Sequence, residues 1–207
     1  MKLYTLLAFL GILILSHGCK DNDTSSAEEP VEKTYPIAHV HTRVGDMYFW
    51  LYDQTPVHKA KFIELAEAGH YDQFTVNRVV RNFVIQGGCP DSPSYFENSP
   101  YLLDPEFVDT IGHSYGALGM GRDNNPEKRS NACQFYVVCK EQGLPGLDGN
   151  YMIFGHIIKG EDVLEAIEIE KTDDTDTPLE DIPLSVSIKQ YTARYLSDSL
   201  GFDVPGL

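Results

Sequence analysis

The chain has 207 residues, enough for one domain with a sizeable core and terminal extensions. Its 31 Asp and Glu against 16 Lys and Arg give a formal charge of −15, which argues against nucleic acid or anionic lipid as the main partner and favours solubility. Counts of 17 Gly and 12 Pro, with 11% aromatic residues, suit a β-rich fold with many turns.

In Met1–Gly18 the only charge is Lys2, followed by an apolar run from Leu3 to Leu15 and then Ser16, His17 and Gly18. The run is shorter than the roughly 20 residues of a membrane-spanning helix and has the parts of a targeting segment that is removed. Ending at Cys19, it resembles the lipoprotein signal of bacteria, which implies lipid attachment at that cysteine. The usual leucine three before the cysteine is displaced by one place, and ordinary cleavage leaving a free Cys19 is the alternative. Residues 19–34 follow as a polar, acidic tether whose bulk, KDNDTSSAEEPVEK, has no periodic apolar face. Lys20, Asp21 and Asp23 also resemble tags that carry some lipoproteins to the cell surface; a solvated linker is the other reading.

The domain begins at Tyr35. IAHVHTRV, then Gly45-Asp46, then MYFWLY predicts a hairpin closed by a tight two-residue turn. His39 and His41 share one face of the first strand, but the sequence places no Cys or carboxylate beside them, so they are expected as surface or core histidines, not metal ligands. In TPVHKAKFIELAEAG, Thr55 is the expected N-cap, Pro56 the first helical residue and Gly69 the left-handed stop. Val57, Ala60, Phe62, Ile63, Leu65 and Ala66 recur with helical spacing.

YDQFTVNRVVRNFVIQGGC, from Tyr71 to Cys89, is two β-branched and aromatic runs joined at Arg81 and Asn82 and closed by Gly87-Gly88. Arg78 sits inside the first run. A lone cation there either faces solvent or is held against a concave site that needs a positive charge. The pattern YDxxTxxRVVxxFVIQGG resembles the signature segment of the cyclophilins, the peptidyl-prolyl cis-trans isomerases.

That resemblance implies that Arg78 is the catalytic arginine, Phe83 the floor of an apolar pocket, and Gln86 the amide that orients arginine and substrate. Asn77 stands where relatives often have histidine, and Val84 where methionine is frequent. The opening strand pair, the Thr-Pro step and the first helix are similar to the family's start.

Residues 90–105, rich in Pro, Ser, Asp and Tyr, read as an irregular loop long enough to line a groove. DPEF, from Asp104, is similar to the family's short Glu-Phe element. HSYGALGMGRDNNPEKRSNACQFYVV resembles its groove wall and core strand. By that match Met120, Gly121 and Arg122 border the peptide, Gln134 offers it an amide, and Tyr136 takes the place of a pocket phenylalanine. In LPGLDGNYMIFGHI, Leu147 would close the pocket and Tyr151 would stand where many relatives have histidine. Gly146 departs most: many relatives carry tryptophan or phenylalanine there, on the rim of the cyclosporin site.

GEDVLEAIEIE, from Gly160, predicts a second amphipathic helix with acids at its start, where the helix dipole favours them. LSVSIKQY alternates as a closing strand. Tyr195, Leu200 and Phe202 in residues 191–207 either dock onto the barrel or leave the tail mobile. Cys89, Cys133 and Cys139 are an odd set with no C-x-x-C spacing, and Cys133 and Cys139 are expected as small buried residues.

The resemblance therefore implies an all-β fold, a closed eight-stranded antiparallel barrel capped by two helices over residues 35–190. The implied activity is isomerisation of X-Pro bonds in extracytoplasmic proteins. The expected partners are proline-containing peptide segments; the domain is expected to be a monomer that meets a membrane only through the lipid anchor. No cofactor and no metal are expected. Asn77 and Gly146 motivate an alternative, a catalytically weak proline-peptide binding module or chaperone on the same barrel.

Overall fold

A computed structural model describes residues 32–96 and 99–206; the targeting segment, Cys19 and most of the tether lie outside them. In chain order the elements are β1 (Thr34–Thr42), β2 (Asp46–Leu51), α1 (Pro56–Glu67), β3 (Thr75–Val80), β4 (Val84–Gly88) and α2 (Pro93–Phe96). Then come β5 (Leu102–Leu103), β6 (Ala117–Met120), β7 (Ser130–Asn131), β8 (Gln134–Val138), β9 (Met152–Lys159), α3 (Glu161–Glu168), β10 (Ile182–Thr192) and α4 (Ala193–Leu200). Eight strands close into an antiparallel barrel in the order β1-β10-β3-β4-β8-β6-β9-β2, while β5 and β7 form a separate short ladder.

Alternation along each strand decides what is inside. Ile85 of β4, Phe135 and Val137 of β8, and Leu118 and Met120 of β6 all join the main core. Their neighbours Val84, Tyr136, Val138 and Ala117 pack into a second apolar cluster on the outer face. The two expected helices fill the barrel's ends. Val163 of α3 sits against Gly45 in the β1–β2 turn, and β2 runs from that turn toward α1 at the opposite end. Phe62 of α1 reaches the core, with ring centroids 5.1 Å from both Tyr71 and Phe154.

The first hairpin closes in a two-residue turn as expected, but the turn is Arg43-Val44 and not Gly45-Asp46. Thr42 and Gly45 exchange backbone hydrogen bonds at 2.9 and 3.2 Å, His41 pairs with Asp46 one step further along the ladder, and the Thr42 hydroxyl accepts from the Val44 and Gly45 N–H groups. Asp46 is thereby part of β2 and supplies the carboxylate that the sequence did not place: its Oδ1 lies 2.9 Å from His39 Nε2 and 2.8 Å from His41 Nδ1.

Thr55 does not cap α1 with its side chain. Its hydroxyl turns back to the Tyr52 carbonyl, and the cap comes from Glu106, 49 residues beyond Val57, which accepts from the Val57 and His58 N–H groups at 3.0 and 2.9 Å. The same carboxylate takes the ring N–H of the fully buried His58 at 2.6 Å. Burial pushes the Glu106 carboxyl up, but the hydrogen bonds from His58 and Val57 outweigh it and hold it low; burial keeps His58 neutral. Glu106→Ala strands two helix-terminal donors and a buried ring N–H, and is expected to cost about 2 kcal/mol. An unchanged urea midpoint would contradict this.

The tail docks. Thr192 caps α4 by accepting from the Tyr195 N–H at 3.2 Å, Leu196 is fully buried, and Phe202 packs 5.2 Å from Trp50. Tyr195 itself stays 43% exposed and stacks on Tyr191.

Cys133 is not a lone buried thiol: it is joined to Cys89 in a disulfide. Gly88 and Gln134 are partners in the β4–β8 ladder, so the next pair outward brings the two cysteines together, with the Cys89 N–H on the Cys133 carbonyl at 2.8 Å. Cys139 remains a buried thiol, pushed up to about 12 chiefly by burial.

Candidate active site

The outward residues of β3, β4, β8 and β6 form one wall of a pocket of about 200 Å³. Arg78 reaches it because β3 carries a bulge: the register with β4 shifts between Thr75 and Arg78. The extra residue lets Asn77 and Arg78 both turn away from the core while Val76 and Val79 stay in it. Of the two readings of this arginine, the structure supports the concave site: Arg78 lines the pocket with Phe83, Val84 and Gln86.

Gly121, Arg122, Gln134, Tyr136, Leu147 and Tyr151 also line it. Phe83, Val84, Tyr136, Leu147 and Tyr151 are one packed apolar cluster, the greasy half of the site. The polar half carries Arg78, Gln86, Gln134 and Arg122. Arg122 spends its donors on the Asp123, Asn125 and Asn150 carbonyls, and its guanidinium lies 5.0 Å from the Tyr151 ring centroid. Gly121 is backed so closely by the Gln134 side chain that a Cβ there would overlap it.

Two expected groove residues are elsewhere. Met120 is fully buried in the barrel core, because strand alternation that turns Gly119 and Gly121 outward must turn the residue between them inward. Asn77 lies behind the site: its amide donates to the Gly88 carbonyl at 2.8 Å and accepts from Gln86 at 3.4 Å, bracing β3 to β4 across the bulge.

The role expected of Gln86 also shifts. It is the cross-strand partner of Arg78, yet its amide donates to Asn77 and, at 3.3 Å, to Asp91. The side-chain contact of Arg78 among the described residues is with Asp176 at 3.4 Å. Asp176 sits at positive φ in a turn whose carbonyl also takes the Val79 N–H at 2.8 Å, so a distant loop is pinned beside the arginine.

Sequence reasoning missed two further features. Asp91 lines the pocket and accepts from both Gln86 and Gln134. Beneath Tyr136 runs a chain that starts buried and ends at an exposed carboxylate: the tyrosine hydroxyl lies 2.8 Å from His113 Nε2, and His113 Nδ1 lies 2.6 Å from Asp148. Burial lowers the His113 pKa despite the opposing pull of Asp148. The ring is therefore neutral, donating to the carboxylate and accepting from the tyrosine. Burial also drives the Tyr136 hydroxyl well up, so it stays protonated. This is how a tyrosine serves in an apolar slot: its polar end is satisfied on the far side, where Gly119 leaves room for the ring.

Residues 37–188 match the family described as cyclophilin type peptidyl-prolyl cis-trans isomerase/CLD. A protein of Staphylococcus aureus (strain USA300) is 30% identical over 181 residues, covering 73% of this chain and 90% of its own length. The Arabidopsis thaliana peptidyl-prolyl cis-trans isomerase CYP18-2 is 30% identical over 159 residues, covering 74% of this chain and 93% of that one. Among solved structures, a cyclophilin type peptidyl-prolyl cis-trans isomerase of Cryptosporidium parvum, crystallised in the presence of the dipeptide Ala-Pro, superposes with a TM-score of 0.64 at 26% identity. It covers 74% of this chain and 98% of its own.

Proposed function

Because the chain belongs to the cyclophilin-type peptidyl-prolyl cis-trans isomerases, we propose that it turns over X-Pro bonds of proteins outside the cytoplasm, with Arg78 as its catalytic residue. The observation that carries the reading is a guanidinium and an apolar slot facing each other in one pocket.

An X-Pro amide rotates over a barrier of roughly 18–20 kcal/mol and relaxes over tens of seconds unaided. Bringing that to milliseconds takes roughly 6 kcal/mol, at about 1.4 kcal/mol per tenfold. No covalent step is needed. The barrier is amide resonance, so a donor to the proline nitrogen as it becomes pyramidal stabilises the twisted state over both planar ones. Arginine suits this task because it stays charged and holds several donors in a fixed plane. Phe83, Val84, Tyr136 and Leu147 grip the pyrrolidine ring while the preceding residue turns, and water excluded from the slot strengthens the arginine's bonds. Gln134, Gly121 and Tyr151 line the path of the peptide backbone.

Export is supported by the targeting segment ahead of Cys19 and by the Cys89–Cys133 disulfide, a bond that persists in oxidising compartments. In this reading Cys19 carries the lipid, residues 20–34 hold a monomeric domain off the membrane, and the clients are proline-containing segments of unfolded or exposed proteins. The mass of the mature N-terminus tests the anchor: an unmodified Cys19 would remove it.

A protease-coupled assay with an X-Pro peptide and the protein lacking residues 1–19 tests the activity. Acceleration is expected; peptide binding with no acceleration would favour the binding-module reading that Asn77 and Gly146 suggest.

Gly146 lies in the turn Pro145–Leu147, and a Cβ there meets nothing within 4 Å. The rim that an aromatic side chain supplies in many relatives is therefore open, and cyclosporin is expected to bind weakly. Inhibition at low nanomolar concentration would contradict this. Gly146→Trp, which the open space accommodates, is expected to tighten cyclosporin binding.

A further inference from the structure

Arg78 has to be held if it is to act from one orientation, because a free arginine side chain carries much rotamer freedom. The residue expected to hold it, Gln86, is committed elsewhere: its amide donates to Asn77 and Asp91. What reaches the guanidinium instead is a loop from the far end of the chain.

β10 pairs with β3 at Ile182–Val76 and Pro183–Thr75 and goes no further along it, so past the bulge the outer edge of β3 has no strand beside it. There the Val79 N–H is satisfied by the Asp176 carbonyl at 2.8 Å. From the same residue the carboxylate Oδ2 lies 3.4 Å from Arg78 Nη2. Asp176 therefore meets β3 at two adjacent residues, once through its backbone and once through its side chain.

The loop that presents Asp176 is closed on itself. Thr172 and Pro178 pair across its base, and the Leu179 N–H donates to the Lys171 carbonyl at 2.8 Å. The Asp173 carboxylate accepts from the Thr175 and Thr177 N–H groups at 2.8 and 3.0 Å. Asp176 itself sits at φ 65°, a conformation that Asp, Asn and Gly adopt more readily than other residues. Its place is set by this turn and by the bond to Val79, without help from the arginine.

We propose that Asp176 is the positioning residue for Arg78, holding the guanidinium toward the apolar slot so that its remaining donors meet the X-Pro bond. The proposal rests on the isomerase reading and adds to it a residue outside the pocket lining. The contact engages one Nη2 donor and leaves the others for the peptide. Both side chains are partly exposed, so the pair adds little to stability, and its effect lies in where it keeps the cation. Placement matters because a donor aimed at a transition state loses its effect when it is slightly displaced.

Asp176→Asn and Asp176→Gly test this, since both residues tolerate the positive φ, one without the charge and the other without the side chain. Neither is expected to shift the thermal melt appreciably. In exchange NMR with an X-Pro peptide, Asp176→Gly is expected to slow the interconversion of bound isomers about fivefold and Asp176→Asn about twofold, with the dissociation constant of the peptide unchanged. In an Arg78→Ala background Asp176→Gly is expected to change the rate no further, because the acid acts only through the arginine. Nitrogen NMR of the Arg78 guanidinium gives a second readout that needs no turnover: its Nη signals are expected to be resolved in the wild type and averaged by rotation in Asp176→Gly. A Gly variant as fast as the wild type, a slowing that persists without Arg78, or a guanidinium equally mobile in both proteins would overturn the proposal and leave the isomerase reading standing. Peptide binding by the wild type without acceleration would sink the isomerase reading, and this role with it.

Discussion

Arg78→Ala is expected to lower the rate at which this protein isomerises an X-Pro peptide by at least about tenfold, the loss of roughly 1.4 kcal/mol of transition-state stabilisation. The fold should survive the change. The side chain of Arg78 is 34% exposed, and its ion pair with Asp176, at 3.4 Å and 44% exposed on the acid side, is of the kind that contributes less than about 1 kcal/mol. Nothing apolar depends on it, since Val76 and Val79 carry the packing of β3. A coupled assay read beside a thermal melt separates the two effects. An unchanged rate in a folded variant would remove the arginine from the mechanism.

Replacing Cys89 and Cys133 together by serine is expected to destabilise the domain by about 4 kcal/mol. In the chain-entropy account, a cross-link between residues 44 apart removes that much loop freedom from the unfolded chain. For a domain of this size the melting temperature should fall by roughly 10 °C. The loop held by the disulfide contains three residues of the pocket lining, Asp91, Gly121 and Arg122, so its loosening is felt at the site as well as in the melt. A melt shifted by less than a degree or two would mean that the ladder between β4 and β8 already holds the two cysteines' strands without help.

The barrel and most of the pocket were legible in the sequence, for two different reasons. Hydrophobic alternation and helical spacing are local, and they located the hairpin, the two helices filling the barrel's ends and the closing strand. The site residues came from resemblance, because no local rule says that Arg78, Gln134 and Leu147 share a pocket. Met120 shows where the two kinds of reasoning need each other. A motif placed it in the groove, whereas the alternation from Leu118 to Met120 already required it inside.

What stayed hidden depends on pairings between distant segments. Glu106 capping α1, Asp176 beside Arg78, and His113 beneath Tyr136 are separated from their partners by 48, 98 and 23 residues. No spacing signal connects such positions. The disulfide was closer to being readable: once β4 and β8 are known to pair at Gly88 and Gln134, Cys89 and Cys133 fall one step along the same ladder. Counting cysteines without that register gave the wrong answer. The bulge in β3 was equally invisible, because a strand that switches face in mid-run looks from the sequence like a run with a misplaced charge.

The most direct measurement is exchange NMR on an X-Pro peptide, comparing interconversion of its isomers while bound with the affinity of each isomer. On the wild-type protein, bound isomers are expected to interconvert in milliseconds although neither planar form is held much more tightly than the other. Tight binding with interconversion as slow as in free peptide would show that the pocket holds proline without easing its rotation.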